Sequence, residues 1–317
     1  MNNEKKIIDK YLLPLAQNKE SLFLKNDAAY FKKRNLVIST DMMIEDKHFK
    51  KNIDPDLLAK KLVRINLSDI AAMGAVPEGF FLNIALPKSK AQGWLKNFTK
   101  GLKSDMKKFN LKLYGGDMSS SDKIFLSLTI LGKTNSYCHK KNYTKSNSGI
   151  FVTGCIGDAG LGYEIMSNDL IFNCSTKSKK KLIQKLLLPE PRLSAGKQLL
   201  NYAEFCTDIS DGLLEELSFI AYQSNKQANI YLDKIPLSFA SKELLMKNKK
   251  KVNDIWEIIL SGGEDYELLF CLSKTPKLRK KLKGISKIGY FSKGKGVRIF
   301  DSDGKEFKTK KFGFSHF

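Results

Sequence analysis

Apolar positions recur at helical spacing in some stretches of the chain and bunch into short β-branched or aromatic runs in others. The two patterns alternate from one end to the other, which predicts an α/β or α+β protein. Helical spacing covers residues 4–13, and strand-like runs follow at 21–24 and 36–39. Asp54-Pro55 then supplies a capping side chain and a proline at the first helical position. It predicts a helix through Leu57, Leu58, Leu62 and Ile65 toward Met73, stopped by Gly74. Residues 79–86 read as a strand closed by Pro87, 91–109 as a helix, and 111–114 and 124–131 as strands. Between Gly132 and Gly149 periodicity fades into Lys, Asn, Ser and Thr, which sets an expected domain boundary near residue 136. The expected domains are therefore 1–136 and 137–317.

The second half repeats the mixture. A strand at 150–153 runs into a glycine-rich turn and a helix, and helical spacing continues to Leu188 before Pro189-Glu190-Pro191. Helices at 193–203 and 213–223 flank a strand at 205–207. Further strands fall at 230–232 and 266–272, and Asp301-Ser302-Asp303-Gly304 predicts a hairpin turn.

Composition narrows the class. Hydrophobic residues make up 42% and charged residues 28% of the 317, enough for a packed core. Lys+Arg 55 against Asp+Glu 33 leaves +22, but the lysines come as scattered pairs and triplets such as Lys60-Lys61 and Lys249-Lys250-Lys251. No zinc-finger spacing, aromatic RNA-binding strand or helix-turn-helix accompanies them, so a solvated basic surface is expected, not a nucleic-acid interface. Five widely spaced cysteines without a CxxC pair argue against disulfides and zinc. No apolar stretch of about 18 residues predicts a membrane span. A soluble cytoplasmic protein is expected.

The carboxylates change the picture most. Asp27, Asp41, Asp117, Asp208 and Asp211 each follow an apolar run that ends in small or polar residues, where ligand sites gather. Asp69 sits inside a predicted helix among Leu67, Ile70, Ala71 and Ala72, where an unpaired carboxylate is expensive. Oxygen donors without His or Cys suit Mg²⁺, Mn²⁺ or Ca²⁺. The P-loop, the dinucleotide fingerprint and GxSxG are all absent. The run from Gly154 to Gly160 either wraps an anion or forms a tight strand-to-helix turn.

Read in order, these motifs resemble the thiamine-monophosphate kinase family, of the aminoimidazole-ribonucleotide-synthetase-like fold. The resemblance rests on Ser39-Thr40-Asp41 with His48-Phe49, the run from Asn66 to Ala75 (NLSDIAAMGA), Gly115-Gly116-Asp117, and Val152-Thr153-Gly154. Pro189-Glu190-Pro191-Arg192, Asp208-Ile209-Ser210-Asp211-Gly212, the run from Ser261 to Leu268 (SGGEDYEL) and the terminal His316-Phe317 complete it. It implies two α/β domains, a homodimer paired through the N-terminal domains, and ATP-dependent phosphorylation of thiamine monophosphate to thiamine diphosphate with several Mg²⁺ ions. It also implies metal contacts at Asp27, Ser39, Thr40, Asp41, Asp69, Asp117, Asp208 and Asp211. ATP contacts are implied at Gly116, Asp117, Lys141 and Ser210, and substrate contacts at His48, Glu264 and Phe312, with Lys311 beside it.

The chain departs from the family pattern at four places. Asn26 replaces the first of two acids, Met118 replaces a Thr, the basic residue shortly after Met118 is missing, and Lys141 replaces an Arg. The acceptor is a phosphate monoester whose second pKa is about 6, so it is already mostly dianionic and needs no general base. Another ATP-using enzyme of the same fold, acting on a different small phosphorylated or nucleotide substrate, is the alternative. Its selenophosphate-making members want a Cys near the N-terminus, whereas the first here is Cys138. Its hydrogenase-maturation members want one at the C-terminus, where Ser315-His316-Phe317 stands. A non-catalytic basic binding protein gives the acidic positions no purpose.

Overall fold

A computed structural model describes residues 3–135, 137–141, 144–167, 172–273 and 284–313. Position 136 and the His316-Phe317 pair lie outside the described residues. After a short helix, α1 (Asn3–Ile7), which continues as π and 3₁₀ turns to Leu15, comes the first sheet. It contains β1 (Ala29–Phe31), β2 (Leu36–Ile44), β3 (Val76–Leu86), β4 (Lys112–Ser120) and β5 (Phe125–Lys133), ordered β1-β2-β5-β3-β4. Its neighbours are antiparallel except β3 and β4, whose parallel pairing needs a crossover. That crossover includes α3 (Ala91–Phe109), and α2 (Pro55–Ala72) precedes β3.

The second sheet contains β6 (Gly149–Thr153), β7 (Phe205–Asp208), β8 (Gln227–Tyr231), β9 (Leu268–Leu272), β10 (Ile285–Ser292) and β11 (Gly296–Phe300). Its order is β11-β8-β10-β6-β9-β7. Around it lie α4 (Asp158–Ser167), α5 (Thr176–Leu187), α6 (Leu193–Leu199), α7 (Leu213–Ser224), α8 (Phe239–Lys247) and α9 (Val252–Ser261). The described chain is thus an α/β fold with two sheets, as expected.

Helix α2 decides how the halves meet. Asp54 Oδ1 accepts the Asp56 N–H at 2.9 Å, Pro55 opens the helix, and Gly74 ends it at φ +70°. Thirteen of its eighteen residues are buried, so it has no solvent face to spare. Leu58, Leu62 and Ile70 pack with Leu126, Leu128 and Ile130 of the first sheet. Ala71 and Ala72 pack with Phe151, Cys206 and Phe270 of the second. A Cβ on Gly196 of α6 would fall 1.9 Å from the Ala71 carbonyl oxygen, so only glycine permits that approach.

Three expectations are corrected. Residues 21–24 form no strand: the Ser21 N–H donates to Asn18 Oδ1 at 2.8 Å and Ser21 Oγ accepts from the Phe23 N–H at 3.2 Å. These local bonds fold Leu22–Leu24 into a left-handed turn, and the strand begins only at Ala29. Strands β2 and β4 run on to Ile44 and Ser120, so Asp41 and Asp117 lie within strands, not after them. The turn at 301–304 is closed by Asp301 Oδ1, but only a single bridge, Phe300 to Glu306, stands where a hairpin was expected.

Candidate active site

Asp27 precedes β1, Asp69 lies in the last turn of α2, and Asp208 ends β7. One carboxylate oxygen from each falls within 4.8 Å of the others. The sandwiched helix makes this possible, because adjacent residues on it face different sheets. Ser68 Oγ donates to Asp208 Oδ2 at 2.5 Å, and Ser39 Oγ on β2 donates to Asp69 Oδ2 at 2.5 Å. Thr207 Oγ1 donates to Asp27 Oδ1 at 3.0 Å. The Lys141 Nζ stands 2.6 Å from Asp27 Oδ1 and 3.2 Å from Glu216 Oε2. Asn26 Oδ1 accepts the Lys141 backbone N–H at 2.7 Å, so its amide orders the segment that carries that lysine.

Burial pushes the Asp69 and Asp208 carboxyls well above the usual carboxylate range, and neighbouring carboxylates add to the push. Asp41 is pushed up to about 6 by burial, then by Glu264 and Asp27. Asp211 is pushed up to about 7 by burial, then by Glu216 and Glu4. Burial alone would lower the Lys141 ammonium, but Asp27 and Glu216 reverse that and raise it. Asp27 Oδ2 is buried without a hydrogen-bond partner. An orphaned carboxylate oxygen in an oxygen-only cluster fits a hard divalent cation, and the cluster lacks the soft donors that favour zinc or copper.

A cavity of about 920 Å³ opens beside the triad. Asp41, His48, Lys61, Asp69, Asp208, Ser210, Asp211, Glu264 and Lys311 all line it. In total the lining carries nine carboxylates against four lysines, on a chain of net charge +22. The positive surface therefore surrounds an acidic interior. His48 Nδ1 accepts the Ile44 N–H at 3.0 Å, which makes Nε2 the protonated nitrogen of the neutral ring.

The acids of the 261–268 run divide by role. Glu264 reaches the cavity and forms an ion pair with Lys61. Asp265 accepts the Gly157 and Ala159 N–H groups at 2.6 and 3.2 Å, so the glycine-rich run is a tight turn filled by an internal carboxylate. Glu267 accepts from Thr153 Oγ1 at 2.6 Å and from Arg192 Nε at 2.5 Å. The Glu264 N–H donates to the Ser210 carbonyl at 2.6 Å, and the Tyr266 N–H to that of Ile209 at 2.9 Å. Both residues are thereby held in left-handed backbone, at φ +71° and +50°.

Several expected residues stand elsewhere. Thr40 is exposed on β2, where its Oγ1 meets Thr129 Oγ1 at 3.0 Å. Gly116 and Asp117 are exposed on β4, outside the cavity lining. Asp117 is reached from Met42, next to Asp41, through Ser127 and Asn83. Those three strand steps are about 14 Å. Lys141 meets the triad, not the cavity lining, and Phe312 is 45% exposed outside that lining, where its neighbour Lys311 belongs. Lys61 escaped the sequence reading by resembling one of many surface lysine pairs. Its signal is the spacing of Lys61, Ile65 and Asp69, which puts all three on one helical face.

The two sheets and the carboxylate cavity define a protein of the AIR-synthase-related class, and the family model for the AIR synthase related protein, N-terminal domain, matches residues 25–134. The chain is 36% identical to the thiamine-monophosphate kinase of Buchnera aphidicola subsp. Schizaphis graminum, over 99% of each. It is 39% identical to that of Buchnera aphidicola subsp. Acyrthosiphon pisum, over 89% of this chain and 87% of the relative. The chain belongs to the thiamine-monophosphate kinase family. The solved structure of AaThiL complexed with AMPPCP and TMP superposes with a TM-score of 0.84 at 28% identity, covering 100% of this chain and 99% of that one.

Proposed function

We propose that this chain transfers the terminal phosphoryl group of ATP directly to the phosphate of thiamine monophosphate, giving thiamine diphosphate, with several Mg²⁺ ions bound. The observation that carries it is the Asp27–Asp69–Asp208 triad, two half-buried carboxylates and one buried, with its partnerless oxygen, beside an acid-lined cavity. Family membership and the complex of a relative with AMPPCP and TMP support the same reaction. Divalent cations held by Asp27, Asp69 and Asp208, with Asp41 and Asp211 nearby, supply the positive charge that lets two phosphate-bearing anions share an acidic cavity. Ser39 and Ser68 fix the orientation of two of those carboxylates, and Ser210 stands on the rim for nucleotide. His48 and Glu264 face the acceptor. No side chain has to remove a proton from it, because the phosphate nucleophile is already ionised.

The first and second sheets are proposed as two domains, divided near residue 136, in a cytoplasmic homodimer. No helix among the described residues is long and apolar enough to cross a membrane. Support for the dimer comes from β4, an edge strand exposed along its whole length, with Leu113, Tyr114 and Met118 open at 49%, 46% and 61%. Gly116 and Asp117 lie too far from Asp41 to join its site within one chain, so they serve the site of the second copy. The reaction is tested by incubating the chain with ATP, Mg²⁺ and either thiamine monophosphate or thiamine. Conversion of the monophosphate alone is expected, and rapid phosphorylation of unphosphorylated thiamine would refute the acceptor assignment.

A further inference from the structure

Lys61 is an unusual lysine in this molecule. Its side chain is 4% exposed, it lines the cavity, and its one ionic partner among the described residues is Glu264, 30% exposed. An ammonium has three donors and one carboxylate does not exhaust them. The pair adds no net charge to the cavity, so it does nothing to gather cations there. What it offers is a separated positive and negative charge at a fixed place. Glu264 cannot drift, because its backbone is held to Ser210 in a left-handed conformation. Lys61 stands eight residues before Asp69 on the same face of α2, about 12 Å along the helix axis.

We propose that the Lys61–Glu264 pair is the docking device for a zwitterionic acceptor, with Lys61 binding the acceptor's phosphate and Glu264 facing its cationic ring. The assignment rests on the proposed reaction, whose acceptor carries both a phosphate and a thiazolium. On binding, the ion pair exchanges partners with the ligand, so neither the buried ammonium nor the half-buried carboxylate is left unpaired and the cavity keeps its charge balance. An acceptor lacking its phosphate leaves Lys61 tied to Glu264 and gains nothing from it. Lys61 is then a substrate-binding residue for the phosphate, distinct from the carboxylates that gather cations.

The test uses the full chain and its Lys61→Met and Lys61→Arg variants, with Met preserving the apolar stem. In Lys61→Met the KM for thiamine monophosphate should rise about tenfold or more while that for ATP stays within about twofold. Lys61→Arg should recover most of the loss. Calorimetry with Mg²⁺ and no ATP should show the monophosphate weakened by a similar factor and unphosphorylated thiamine not weakened. An unchanged KM for the monophosphate, or equal weakening of both ligands, would overturn the pair's role. A wild-type chain that binds the monophosphate but transfers no phosphate would sink the proposed reaction instead, and the calorimetric comparison would still decide the pair. Failure of the wild-type chain to bind the monophosphate would overturn both.

Discussion

Asp41 and Asp211, with carboxyls pushed up to about 6 and about 7, and Asp69 and Asp208, also pushed well above the usual range by burial, are a store of unfavourable charge in the metal-free chain. Between the ordinary carboxylate value of about 4 and about 7, the folded chain retains protons that the unfolded chain has released. These groups therefore stabilise the fold most at the acidic end of that window, and their contribution is lost as pH rises through it. A bound divalent cation removes the penalty but must displace those protons at low pH. The melting temperature in chelator should fall between pH 5.5 and pH 8, and the rise on adding Mg²⁺ should be larger at pH 8. Equal Mg²⁺ shifts at the two pH values would mean that these carboxylates do not hold the ion. At this scale the sequence was legible where chemistry was concentrated in type, as with Asp27, Asp69 and Asp208. It was silent where one residue type serves two ends. Lys61 looks like its neighbour Lys60, which pairs with Asp56 along the helix, and only its spacing from Ile65 and Asp69 sets it apart. Residue type alone does not separate the cavity acid Glu264 from Asp265 and Glu267, which hold backbone and Arg192; only the family resemblance singled it out.

Helix α2 matters most at the scale of elements, since it is the piece that both sheets grip. If close packing by α6 sets its position, Gly196→Ala should cost about 1–3 kcal/mol and weaken Mn²⁺ binding at the triad, because the added methyl meets the Ala71 carbonyl. Gly93→Ala in α3 is the control, for nothing lies within 4 Å of the place its methyl would take; it should stabilise by about 0.5–1 kcal/mol through helix propensity alone. Urea unfolding of both variants checks the pair of expectations, and equal effects would mean that α6 does not set the position of α2. The bounds of α2 were readable from the Asp54 cap, Pro55 and the Gly74 stop, and those of α3 from its amphipathic period after Pro87. The left-handed turn at Leu22–Leu24 was not, since three apolar residues look like a strand until Asn18 and Ser21 capture the backbone. The extension of β2 and β4 past small and polar residues depends on partner strands, which no local pattern reports.

For the whole molecule, a chain of net charge +22 with an acidic cavity attracts anions over distance, and under the proposed reaction admits them only with cations. The proposed dimer has a sharp consequence. If Asp117 serves the partner's site, mixed dimers of Asp117→Asn and Asp208→Asn chains contain one site with neither change, and co-refolding two inactive variants should restore activity. No recovery would mean that Asp117 acts within its own chain or not at all. The most direct test of the central claim joins cation binding to chemistry at the triad. Transfer from ATP to thiamine monophosphate should be measured in the wild-type, Asp69→Asn and Asp208→Asn chains at saturating Mg²⁺, alongside Mn²⁺ titration of each. Both variants should lose about 100-fold or more in rate, roughly 3 kcal/mol of transition-state stabilisation, and bind fewer or weaker Mn²⁺ ions. Full activity in both, with unchanged Mn²⁺ binding, would contradict it.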